Sequence, residues 1–103
     1  MRQDILDKIK EQKLKYAGEG FIILGVFGSF ARGEETSESD LDLLFEIDDV
    51  FLDRNSGWKA CGRLEDIKKE ISRDLGRHID MTDRDALDDI GRRFILPEVV
   101  YVV

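Results

Sequence analysis

The feature that most constrains the fold is a break in an apolar run. Residues 21–27, FIILGVF, are apolar at every position, and the run stops at Gly28 and Ser29. A segment this short and this uniformly apolar reads as a strand covered on both faces, which places it in the interior of a sheet. A polar stretch follows, and then Asp40 and Asp42 alternate with Leu41 and Leu43. Alternation of period two sends Asp40, Asp42, Leu44 and Glu46 to one face of a second strand and Leu41, Leu43, Phe45 and Ile47 to the other. One face of that strand is core, and the other carries two neighbouring carboxylates.

The break itself admits two readings. In the plainer one it is a strand-to-helix turn with Ser29 as helix cap. In the other, Gly28 lets backbone approach an anion, Ser29 adds a hydroxyl donor, and a helical turn over Ser29–Arg32 directs unpaired N–H groups at a phosphate. Gly28 and Gly33 have the outer spacing of a Walker loop, but Glu34 and Glu35 stand where Lys and Ser or Thr are required. Gly25, Gly28 and Gly33 also miss the dinucleotide-binding spacing.

Two carboxylates side by side repel unless a cation, a proton or water intervenes, and Mg²⁺ is held by such pairs together with substrate phosphates. A solvent-facing acidic strand is the structural alternative. A third carboxylate, Asp80, sits in the alternating segment 77–82, with Ile79 and Met81 on one face and His78, Asp80 and Thr82 on the other. If that strand lies beside the first, Asp40, Asp42 and Asp80 share a face, and three carboxylates can hold two metal ions. His78 is expected to be passive there.

Gly28-Ser29, Ala31-Arg32-Gly33 and Ser39-Asp40-Leu41-Asp42-Leu43, with a distant Asp in an apolar strand, resemble the minimal nucleotidyltransferase family of the polymerase-beta-type superfamily. The resemblance covers most of the chain. It implies ATP as co-substrate, Mg²⁺ as cofactor with two ions expected, and transfer of AMP with release of pyrophosphate. Carried onto this sequence, Gly28 and Ser29 hold the triphosphate, with Arg32 and Ser39 also among the nucleotide-site candidates. Asp40, Asp42 and Asp80 are the catalytic and metal-binding candidates, Asp80 helping to activate the attacking hydroxyl. For Arg32 a structural pairing with Glu34, Glu35 or an active-site Asp is favoured, and Ser39 is expected to brace the turn before Asp40. The resemblance further implies a HEPN-type toxin as partner, neutralised by AMP addition to a hydroxyl, tyrosine in some members. Masking of the partner without chemistry, and transfer to a small molecule or an RNA end, are the alternatives.

With 103 residues the chain is expected to form one domain, 1–103, of α/β (α+β) class: a small mixed sheet with helices packed on one face and the carboxylates on the open one. A hydrophobic share of 42% beside 38% charged residues points to a folded, soluble protein. A formal charge of −7 disfavours general nucleic-acid binding. No run is apolar enough for a membrane span, and the charged opening does not read as a secretory signal, so a cytoplasmic location is the default expectation. The single Cys61 has no disulfide partner and is expected to pack in the core.

Further elements follow from periodicity. A helix is predicted over Arg2 to Ala17 with Ile5, Leu6, Ile9 and Leu14 as its apolar stripe. A second is predicted over Trp58 to Leu75, with Trp58, Cys61, Leu64, Ile67, Ile71 and Leu75 inward. Asp48 to Gly57 reads as a polar loop. Thr82 or Asp83 can cap a helix from Arg84 to about Phe94, with Leu87, Ile90 and Phe94 inward. The tail 98–103, EVVYVV, is expected to pair with the sheet, a partner contact being the alternative. Pro97 departs from the family pattern, which continues helical at this point.

Overall fold

A computed structural model of the chain describes residues 3–103; Met1 and Arg2, where the first predicted helix begins, lie outside them. Helix α1 (Gln3–Ala17) leads through a glycine turn into β1 (Phe21–Phe27), the short α2 (Ser29–Arg32) and β2 (Leu41–Ile47). There follow α3 (Asp49–Arg54), α4 (Trp58–Leu75), β3 (Ile79–Asp83), a 3₁₀ turn (Arg84–Ala86), α5 (Asp89–Phe94), a second 3₁₀ turn (Leu96–Glu98) and β4 (Val100–Tyr101). The sheet order is β3-β2-β1-β4. β2 and β4 run antiparallel to β1, while β3 runs parallel to β2. The fully apolar β1 is therefore interior, as its composition requires.

The core lies between the sheet and helices α1 and α4. Ile5, Ile9 and Tyr16 of α1 and Ile67, Ile71 and Leu75 of α4 join Phe21, Ile23, Val26, Leu41, Leu43, Phe45 and Ile79 in one buried cluster. Phe21 anchors it, stacking on Phe45 with ring centroids 4.8 Å apart and meeting Tyr16 edge-on at 6.0 Å.

Helix phase corrects several expected core positions. At about 100° per residue, Ile5, Ile9, Gln12 and Tyr16 fall in one narrow arc of α1, while Leu14 lies on the far side and is 80% exposed. The polar ends of Gln12 and Tyr16 concealed that stripe. In α4 the same geometry aligns Ala60, Leu64, Ile67, Ile71 and Leu75, leaving Trp58 92% exposed and Cys61 in solvent. Residues 48–57 are not simply loop: the Asp48 side chain accepts from the Phe51 N–H and caps α3, which buries Phe51. Nor is there one helix from Arg84 to Phe94. Asp83 caps the 3₁₀ turn, Leu87 is extended, and Asp88 caps α5 afresh through Gly91 N–H. Ile90 and Phe94 consequently face solvent, 69% and 68% exposed.

The C-terminal tail pairs with the sheet. Val100 and Tyr101 lie beside Val26 and Gly25, Val102 N–H donates to Leu24 carbonyl at 2.9 Å, and the Val102 side chain enters the core. The tail also packs closely against Gly25, where an added Cβ would collide with the Val99 side chain and the Val100 carbonyl. Leu44, the register partner of Gly25, is fully buried although it belongs to the carboxylate face. That face is open around the carboxylates and closed beside them.

Candidate active site

Register brings the acidic residues together. Asp42 pairs with Asp80 across the parallel β2–β3 ladder and with Phe27, the last residue of β1, on its other side. Neighbouring strands lie about 4.8 Å apart, so two aligned carboxylates share one small volume. Asp40 stands just before β2, and its Oδ1 is 3.1 Å from His78 Nδ1. Asp40, His78 and Asp80 can each present a ligand atom within 4.8 Å of the others. Burial raises the Asp42 carboxyl above its ordinary range, and the negative charges of Asp80 and Asp40 raise it further. Such a cluster is left with surplus negative charge, and its oxygen donors suit a hard divalent cation.

The glycine turn meets this cluster from the end of β1. Gly28 has φ 75° and ψ −151°, outside the range that L-residues favour, and a Cβ there would strike the Asp42 carboxylate. Glycine is required at this point because backbone and carboxylate converge. Gly28, not Ser29, is the cap residue; Ser29 opens α2 and is partly buried. Two contacts hold α2 in place. Phe30 is buried with the Arg77 guanidinium 4.8 Å above its ring, and Arg77 also donates to the Ser39 carbonyl at 3.2 Å. Ser39 braces the approach to Asp40, its Oγ accepting from Thr36 N–H at 2.9 Å.

Arg32 forms the structural pair expected of it with Glu34, Nε to Oε2 at 3.1 Å, and a second one with Glu98 at 3.2 Å. Glu98 had no signal in the sequence. It lies seventy residues from Gly28 along the chain, yet its Oε1 accepts from the Gly28 N–H at 3.2 Å. His78 was legible only as a neighbour of Asp80 by alternation, and its pairing with Asp40 depends on how β3 enters the sheet.

A mixed sheet that carries a glycine turn and acidic side chains at the ends of adjacent strands is the framework of a nucleotidyltransferase. The chain belongs to the nucleotidyltransferase domain family, whose model matches residues 5–100. It is 28% identical over 79 residues to protein adenylyltransferase MntA of Thermococcus cleftensis, a match covering 77% of this chain and 72% of that protein. A protein of Methanocaldococcus jannaschii named for the same activity is 25% identical over 80 residues, covering 77% and 74%. Among solved structures, one described as a minimal nucleotidyltransferase superposes with a TM-score of 0.72 at 28% identity, covering 97% of this chain and 95% of the other. A toxin–antitoxin crystal structure with AMP-PNP has a TM-score of 0.69, covers 95% and 72%, and at 16% identity speaks for the fold alone. The chain is a nucleotidyltransferase.

Proposed function

We propose that this nucleotidyltransferase transfers AMP from ATP to a protein hydroxyl, with Mg²⁺, and thereby neutralises a toxin partner. The observation that carries this reading is the meeting of Gly28 with Asp42 opposite Asp80, which sets anion-binding backbone against acidic side chains. Asp40, Asp42 and Asp80 would hold the cation: Asp40 and Asp80 gather ligand atoms there together with His78, Asp42 stands at the register position beside Asp80, and carboxylate oxygens suit a hard cation. When bound, Mg²⁺ neutralises charge on the triphosphate and the attacking oxygen.

The chain's own residues position the reactants. Gly28 N–H and the first turn of α2 orient the phosphates, with Ser29 and Arg32 beside them; Ser39 fixes the entry to Asp40. The acceptor oxygen bonds to the α-phosphorus while the bond to the pyrophosphate oxygen breaks. The hydroxyl proton passes to Asp80, and pyrophosphate leaves. Positioning and charge compensation suffice for this chemistry, which is why so small a scaffold can perform it.

The names of the two relatives support a protein as acceptor. A HEPN-type toxin and its tyrosine are taken from the family resemblance. Masking without chemistry is the second reading, favoured by exposed Ile90 and Phe94 on α5. The experiment offers the purified protein, Mg²⁺ and its genome-neighbour partner ATP labelled at either the α- or the γ-phosphate. Label from the α position alone is expected. Label from the γ position alone would mean phosphoryl transfer and overturn the assignment; neutralisation without label would establish masking.

A further inference from the structure

The donors assigned to phosphate are already engaged by a side chain of the same protein. Glu98 Oε1 accepts from Gly28 N–H at 3.2 Å, and both its oxygens lie near Arg32 Nη1, at 3.4 and 3.2 Å. A carboxylate oxygen and a phosphate oxygen are equivalent acceptors for an amide and a guanidinium, and the two cannot occupy the same donors at once. We propose that Glu98 is an internal competitor for the triphosphate: it occupies the Gly28 amide and Arg32 in the free protein and must swing aside for nucleotide to bind. This inference rests on reading Gly28–Arg32 as the phosphate-binding segment, and it concerns how that segment is regulated.

The fold ties down the backbone on both sides of Glu98 and leaves its side chain partly in solvent. Glu98 closes the 3₁₀ turn that starts at Leu96 and Pro97, its N–H bonded to the Ile95 carbonyl at 3.1 Å. Immediately after it, β4 is tied to β1, Val102 is buried, and Lys13 Nζ donates to the Val102 carbonyl at 2.6 Å. The carboxylate is thus delivered to Gly28 by a clamped main chain, while its side chain keeps 30% of its surface in water and has a direction in which to leave.

Charge works the same way. Arg32 meets two carboxylates, Glu34 and Glu98, and Glu98 adds negative charge beside Asp42. An incoming triphosphate would compete for Arg32 while being repelled by the carboxylate that holds it. Displacing Glu98 relieves both conflicts, and until it is displaced the site is closed to weakly held anions.

The test is calorimetric binding, with Mg²⁺, of a non-hydrolysable ATP analogue and separately of inorganic tripolyphosphate to wild type, Glu98→Gln and Glu98→Ala. Loss of a partly exposed charged contact corresponds to roughly two- to fivefold in affinity, so Glu98→Ala is expected to bind both probes tighter by that factor. Glu98→Gln, which retains an acceptor for Gly28 but not the charge, is expected to fall between Glu98→Ala and wild type, and it preserves side-chain shape should alanine disturb the fold. Equal or weaker binding by folded variants would overturn the competitor role and leave the nucleotide reading intact. Binding by none of the three proteins would overturn both.

Discussion

Two clusters of charge in this molecule are built on opposite principles. At Arg63, on the α4 side of the fold, opposite charges are matched: the guanidinium forks onto Glu19 at 2.8 and 2.7 Å, and a third N–H reaches Glu70 at 2.9 Å. The buried Tyr16 donates its hydroxyl to the other Glu70 oxygen at 2.7 Å. The hydrogen bond from Tyr16 holds the Glu70 carboxyl below its ordinary range, with Arg63 acting in the same sense, while burial and Glu70 push the Tyr16 hydroxyl well up. At the sheet ends the reverse holds. Asp40, Asp42 and Asp80 are like charges set together, and the Asp42 carboxyl is displaced upward. The first cluster ties α1, the turn after it and α4 together. The second leaves interaction energy unspent, as expected where a ligand is to complete the arrangement.

The sharpest way to break the contrast is Asp42→Asn. Nucleotidyl transfer, measured with α-labelled ATP, is expected to fall by about a thousandfold or more, since one of the charge-organising groups is lost. The variant should nevertheless fold at least as stably as wild type. A carboxyl whose folded-state pKa is raised contributes stability that is complete below its unfolded value and is lost as pH rises through the folded one. At neutral pH the wild type therefore carries a cost that asparagine removes, a few tenths of a kcal/mol after solvent screening. Denaturant midpoints at pH 7 and pH 4 check this, with the advantage of the variant shrinking at the lower pH.

Arg63→Ala should behave oppositely. It strands Glu19 and Glu70 and is expected to cost about 1–3 kcal/mol in urea unfolding while leaving transfer activity at 25 °C unchanged. Loss of transfer in a folded Arg63→Ala protein would show that the clusters are coupled.

The smallest effect is expected from Glu70→Gln, about 0.5–1 kcal/mol at pH 7. Because the folded-state pKa of Glu70 is depressed, its stabilisation is present above the unfolded value and disappears as pH falls through the folded one. Wild type and variant should accordingly converge in acid. Asp42 and Glu70 thus give pH dependences of opposite sign within one protein.

Much of this organisation is written locally. The apolar run 21–27, the break at Gly28, the alternation of Asp40 and Asp42 with leucines and the strand around Asp80 specify their own conformation, because side-chain period and glycine geometry act within a few residues. Those signals sufficed for an interior β1, for the core face of β2 and for the α/β class that the sheet displays, but not for Leu44, which lies on the carboxylate face of β2 and is buried all the same. They fail for Leu14, Trp58, Cys61, Ile90 and Phe94, where apolar character does not mean burial because helix phase or a broken helix turns the side chain outward.

What only the tertiary structure decided is who meets whom. Asp42 faces Asp80 because β3 enters parallel to β2 in that register, and Asp40 meets His78 for the same reason. Glu98 reaches Gly28 because the tail is clamped to the far side of β1. Contacts of this kind join residues tens of positions apart. No local preference encodes them; they arise when burial of one shared core fixes strand order and register, and the charged groups at the strand ends are carried to their places with it.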